Sequence, residues 1–132
     1  MSVRVDSEVG RLRRVLVHRP GLEIDRMVPT MMEELLFDDI LDGDAARREH
    51  RVFRRVLRSA GVEVLTAGDL LAEVLESDGA RRAALERLAA LGVPASTREQ
   101  LADREPADLA ATLIEGLRTD DHRRSFDLPP VP

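Results

Sequence analysis

Apolar residues recur along this chain in two rhythms. Val15-Leu16-Val17 is a short continuous run, preceded by the polar, Gly-containing SEVGRLRR and stopped by Arg19-Pro20-Gly21. That pattern predicts a buried strand followed by a turn. Pro29 suits the first turn of a helix and predicts a short one through Met31, Met32, Leu35 and Leu36. The clearest periodic segment runs from about Asp44 to Ala60. Its apolar positions are Ala45, Ala46, Val52, Phe53, Val56, Leu57 and Ala60, with Gly61 as the C-terminal stop. These positions are expected to form the core face of the helix. VEVL, residues 62–65, follows at once as a second apolar strand. Strand, crossover helix and strand form a βαβ-like unit, which allows the two strands to run parallel in one sheet.

Beyond Thr66 the rhythm is helical throughout. Leu70, Leu71, Val74 and Leu75 share one face, and Leu85, Leu88 and Leu91 share another that Gly92 stops. Thr97 to Gln100 (TREQ) fits a capping box, in which the two side chains satisfy each other's exposed backbone N–H groups. Pro106 opens a last helix carrying Leu109, Leu113, Ile114 and Leu117. Three regions result: 1–66 with the βαβ-like unit, 67–118 as a small helical bundle, and 119–132 as a tail. The tail ends in three Pro among four residues and reads as a connection that leads onward.

Composition narrows the chemistry. The 132 residues are 43% hydrophobic and 2% aromatic, so the core is built from Leu, Val and Ala, which favours helices. With no cysteine, the chain forms no disulfide, thiolate metal site or cysteine nucleophile. No run of eighteen apolar residues occurs, and MSVRVDSEVG is not an apolar signal segment; a cytoplasmic location is expected. All twenty basic residues are Arg, yet the net charge is −5, which argues against a general nucleic-acid binder.

Several residues invite a functional reading. ELLFDDILDGD, residues 34–44, holds four Asp, but Ile40 occupies a position that would have to ligate calcium and no correctly spaced partner precedes Gly43. Asp42, Gly43 and Asp44 instead form a turn that starts a helix, with Asp as its N-cap. His50 sits beside Glu49, but adjacent helix positions point about 100° apart and do not converge on one substrate. His18 ends the first strand, a position open to a cleft, but nothing nearby in sequence supports such a role; His122 lies in the polar tail. Arg47, Arg51, Arg54 and Arg58 form one strip of the long helix, read as a solvated outer face opposite Val52, Phe53 and Val56. No Gly-rich phosphate loop, GxSxG or HExxH is present. From the residues alone the chain is an α/β, helix-rich piece without a complete active site.

Residues 7–75 carry a resemblance. SEVGRLRRVLVHRPG, ELLFDDIL, AARREHRVF, GVEVL and DLLAEVL resemble, in that order and spacing, the N-terminal part of bacterial arginine deiminases. Residues 76–118 match that family's helical insertion in character, and LPPVP resembles the lead-in to its PNxxFxRD segment. The resemblance implies the pentein fold, a five-bladed αβ propeller, with the two strands and long helix in its first blade. It implies hydrolysis of L-arginine to L-citrulline and ammonia through a cysteine-linked amidino intermediate, without cofactor or metal. The family's nucleophilic Cys, catalytic His and guanidinium-binding Asp and Glu belong to segments after residue 132, so no catalytic residue is assigned here and the piece alone is expected to be inactive. Only Leu36, the second Leu of ELLFDD, matches a substrate-lining position. The implied partners are L-arginine for the complete enzyme, no nucleic acid, no membrane, and a homo-oligomer or a complementary C-terminal chain. Two alternatives stand beside this: a non-catalytic helical interaction module, and a fragment of an amidinotransferase.

Overall fold

The structure, a computed structural model, describes residue 5 and residues 7–26 and 41–116. Strand β1 (Arg14–Val17) leads into a one-turn helix α1 (Leu22–Asp25). The long helix α2 (Gly43–Ser59) then carries the chain back to strand β2 (Glu63–Thr66). The strands pair in parallel as a two-stranded sheet, with Val15 opposite Val64 and Leu16 opposite Leu65. The expected parallel arrangement is therefore present. Four helices follow: α3 (Ala67–Leu75), α4 (Asp78–Ala90), α5 (Ala95–Ala102) and α6 (Pro106–Glu115).

The ends of α2 are built by local chemistry. Asp42 adopts an extended backbone, and its carboxylate accepts from the Ala45 N–H at 2.9 Å. That satisfies one of the first-turn donors that helix geometry leaves unpaired. At the other end Gly61 has φ of 77°. Its N–H reaches the Arg58 carbonyl and the Val62 N–H reaches the Leu57 carbonyl, both at 3.0 Å. This is the Schellman closure, in which the left-handed residue is best a Gly. Val62 is buried directly after it and begins the return into β2.

The central core lies among the later helices. Leu75, Leu101, Leu109 and Ala110 are buried together, with Leu71, Leu85, Leu88 and Leu113 packed around them. Pro106 stands at the start of α6, as its fixed φ favours.

Five expectations change. The first strand, expected to be buried, covers Val15 and Val17 only in part and leaves Leu16 exposed. The capping box at Thr97–Gln100 is not formed: α5 starts three residues earlier, with Pro94 as its N-cap and no side-chain cap. The Pro ring holds that residue extended, so the helix starts directly after it and Thr97 falls inside the first turn. Val74 and Leu91 are exposed, not core; Leu91 is the C-cap of α4, outside its periodic face. Val52, Phe53 and Val56, read as the core stripe of α2, are 57%, 50% and 61% exposed. The covered stripe is Gly43, Ala46, Arg47, His50, Arg54 and Leu57 instead. Arg47 and Arg54 are thus half-buried, whereas Arg51 and Arg58 are exposed as expected. Two strands of four residues have room for only one stripe of a five-turn helix, and the more apolar stripe is left uncovered. The helix expected from Pro29 to Leu36, Leu117 and the tail 119–132 lie outside the described residues.

Candidate functional site

In parallel α/β sheets, ligand clefts open beyond the carboxyl ends of the strands. A cleft of about 450 Å³ lies at that place here. Its wall is the turn after β1 (His18 to Leu22), then Asp25 of α1, Arg47 of α2, Thr66 at the end of β2, and the small residues Gly68, Ala72, Ala107, Ala110 and Ala111 of α3 and α6. Its size is within the ordinary range for small-molecule sites.

Arg47 ties the walls together. Its guanidinium donates to both oxygens of Asp25, at 2.8 and 3.2 Å, to Asp44 Oδ1 at 2.8 Å and to the Gly21 carbonyl at 3.3 Å. One forked side chain thus fixes the turn, α1 and the start of α2, using the two-pronged match between guanidinium and carboxylate. The hydrogen bond from Asp25, followed by that from Asp44, raises the Arg47 pKa further above its ordinary range. The Arg47 hydrogen bond correspondingly lowers that of Asp44. Gly43 supports the arrangement: a Cβ there would collide with the Asp25 carboxylate. Arg26, just after α1, donates to the carbonyls of Glu115 and Gly116 at 2.7 and 2.9 Å, joining the cleft floor to the end of α6.

The second polar cluster is His18 with Glu23. His18 Nε2 lies 2.9 Å from Glu23 Oε1, which also accepts from the Gly21 N–H at 2.8 Å. Burial raises the Glu23 carboxyl, but the Gly21 N–H and His18 bonds outweigh it and the net shift is downward. The other oxygen, Oε2, is buried without a partner among the described residues. The cleft lining contains no thiol, and its one imidazole is engaged by Glu23. Among the described residues these groups hold one another in place, and none of them forms a nucleophile with its base.

The positions singled out in the sequence divide clearly. His18 does line the cleft, and its partner is five residues away. Leu36, Asp38, Asp39 and His122 lie outside the described residues. Among the described residues there is no cluster of three or more His, Cys, Asp or Glu that would hold a metal, and no helix long and apolar enough to cross a membrane. Sequence reasoning missed Asp25 and Arg47 as a pair. The Asp44–Arg47 spacing was a signal, being a helical i, i+3 contact, but the 22-residue reach to Asp25 was not visible in any pattern. Arg51, Arg54, Arg55 and Arg58 line a separate groove that shares no residue with the cleft.

His50 is half-buried on the covered face of α2, its Nδ1 has no partner among the described residues, and its ring centroid lies 6.3 Å from that of Phe53. Glu49 is exposed and does not share its surroundings. Burial, then the positive charges of Arg54, His18 and Arg19, lower the His50 pKa from 6.5. Below the unfolded value the unfolded chain binds a proton that the folded chain resists, so stability falls as pH drops through about 6.5. Urea midpoints measured between about pH 5 and 8 should fall on the acid side of that point, and His50→Gln should flatten this part of the curve. An unchanged slope in the variant would exclude His50 as its source.

Comparison with known proteins supplies the remaining observation. A family profile described as arginine deiminase matches residues 33–120. The arginine deiminase of Limosilactobacillus fermentum is 41% identical over 125 residues, covering 90% of this chain and 31% of that protein. That of Rhodococcus erythropolis is 56% identical over 78 residues, covering 59% of this chain and 19% of its own length. That of Mycolicibacterium gilvum is 42% identical over 122 residues, covering 88% and 30%. The chain spans about a third or less of the length of these relatives.

Proposed function

The chain belongs to the arginine deiminase family, as a portion at its N-terminal side, and from that premise we propose that it supplies one wall of an enzyme that hydrolyses L-arginine to L-citrulline and ammonia. In this reading residues 1–66 form the first blade region of a five-bladed αβ propeller, 67–118 an inserted helical bundle, and 119–132 the connection to the remainder. A cysteine thiolate attacks the guanidinium carbon, ammonia leaves, and water releases citrulline from the amidino intermediate. These 132 residues hold no cysteine; in this reading the thiolate and its partners belong to other segments of the complete enzyme, and the piece alone is inactive. No cofactor takes part, and the location is cytoplasmic.

The observation that carries this reading is the family match over two thirds of the chain. The parallel βαβ unit and the uncovered Val52–Phe53–Val56 stripe support it, because both are what one blade of a larger closed sheet array presents when seen by itself. The stripe would equally serve a non-catalytic interaction module; catalysis by a complete enzyme containing this segment separates the two.

Leu36 is the one residue assigned to the substrate, as part of an ELLF lip over the pocket. The test uses a chimera in which residues 1–132 replace the corresponding segment of the Limosilactobacillus fermentum relative. Leu36→Ala in that chimera should raise the KM for arginine about tenfold, the scale of losing a well-packed apolar contact. An unchanged KM would remove Leu36 from the pocket. Formation of ornithine from arginine and glycine, in place of ammonia, would move the assignment to an amidinotransferase.

A further inference from the structure

The second groove is made of charge. Arg51, Arg54, Arg55 and Arg58 of α2 line it together with Ser59, around a volume of about 560 Å³. From His50 to Val62 the chain carries no Asp or Glu. Asp44 is held by Arg47; the acids that flank the stretch are Glu49, which is exposed and does not line the groove, and Glu63, which is held by Arg14. None of the four arginines has an ion pair or side-chain hydrogen bond among the described residues. Arg54 is half-buried, and its Nε is a buried donor without an acceptor there.

This arrangement is unfavourable unless something neutralises it. The four residues stand at i, i+3, i+4 and i+7, so each faces two others of like sign, and such pairs destabilise a helix. A buried donor without an acceptor adds to the cost. Elsewhere on the same helix Arg47 shows the opposite solution, with both terminal nitrogens of its fork engaged by acceptors.

We propose that this groove binds one compact, multivalent oxyanion of the phosphate class. The forked guanidinium matches phosphate oxygens in pairs. Seven residues of helix span about 10.5 Å, the size of a di- or triphosphate and far shorter than a nucleic-acid footprint. Among the described residues the lining holds no apolar or aromatic side chain, so it lacks the central anchor that a peptide partner needs and the stacking platform that bases need. The net charge of −5 keeps the attraction local to this stripe. The anion lies over the last two turns of α2, with Arg54 beneath it and Arg51, Arg55 and Arg58 around it. This goes beyond the arginine-hydrolysis reading and does not depend on it, since the two clefts share no residue.

Calorimetric titration of the 132-residue chain with inorganic pyrophosphate tests it, at about 0.15 M salt where weak surface attraction is screened. The expected result is one site per chain. Arg51→Gln and Arg55→Gln should each weaken it about tenfold, and Arg51→Lys less than Arg51→Gln, because a point charge keeps the attraction but loses the fork. Arg82→Gln on α4, outside the groove, should leave it unchanged. As a second readout, pyrophosphate should raise the melting temperature of the unaltered chain, and this rise should shrink in the groove variants. Both groove positions are exposed, so the variants retain the fold. No binding at millimolar pyrophosphate, equal weakening by Arg82→Gln, or stronger competition by a polyglutamate peptide than by triphosphate would each overturn the proposal.

Discussion

Replacing Leu109 by Ala should lower the stability of the chain by about 3 kcal/mol, within the range for deleting a fully buried Leu side chain. Leu109 is completely buried, at the centre of the cluster with Leu75, Leu101 and Ala110. It belongs to α6, which packs chiefly against α3, the helix that follows β2 directly. A cavity there loosens the contact that joins the βαβ part to the helices. Small domains have only about 5–15 kcal/mol in total, so the urea midpoint should fall by about a fifth or more. Val74→Ala, at an exposed position of α3, is the control and should shift it by less than about 0.5 kcal/mol. Similar shifts for the two variants would mean that α3 and α6 do not share the core described here.

The second large effect should appear only in a complete enzyme. Phe53 is half-exposed on the uncovered stripe of α2 with Val52 and Val56. In the 132-residue chain, Phe53→Asp places a charge in water and should change stability by less than about 1 kcal/mol. In the chimera, the proposed propeller covers the stripe, and an unpaired buried carboxylate there should cost more than about 4 kcal/mol and remove soluble enzyme. Comparing the soluble yield and melting temperature of both proteins with and without the substitution checks this. A mild effect in both would show that the stripe faces solvent in the complete protein too.

That stripe also marks the limit of what the sequence discloses. The two strands, their parallel pairing, the Asp42 cap and the Gly61 and Gly92 stops were legible, because each follows from local chemistry or a short apolar run. So were the positions of α4 and α6. The inward face of α2 was not. Periodicity identifies an apolar stripe but says nothing about whether its partner is in the same chain. In a chain spanning about a third of its relatives' length, the most apolar stripe is the one left uncovered. The half-buried Arg47 and Arg54 were misread for the same reason. In the cleft, His18 was placed correctly at a strand end. Asp25 was not found because it belongs to a one-turn helix with no periodic signature, and its value comes from meeting Arg47 22 residues later.

On the proposed function, this chain contributes to arginine hydrolysis without being able to perform it alone. The direct measurement is citrulline release from L-arginine by the purified 132-residue chain and, in parallel, by the chimera that carries it. The chain should release no citrulline, and the chimera should sustain its release. Citrulline from the chain alone would contradict the assignment of the nucleophile to segments beyond it. A folded but silent chimera would contradict the claim that this segment belongs to the working enzyme.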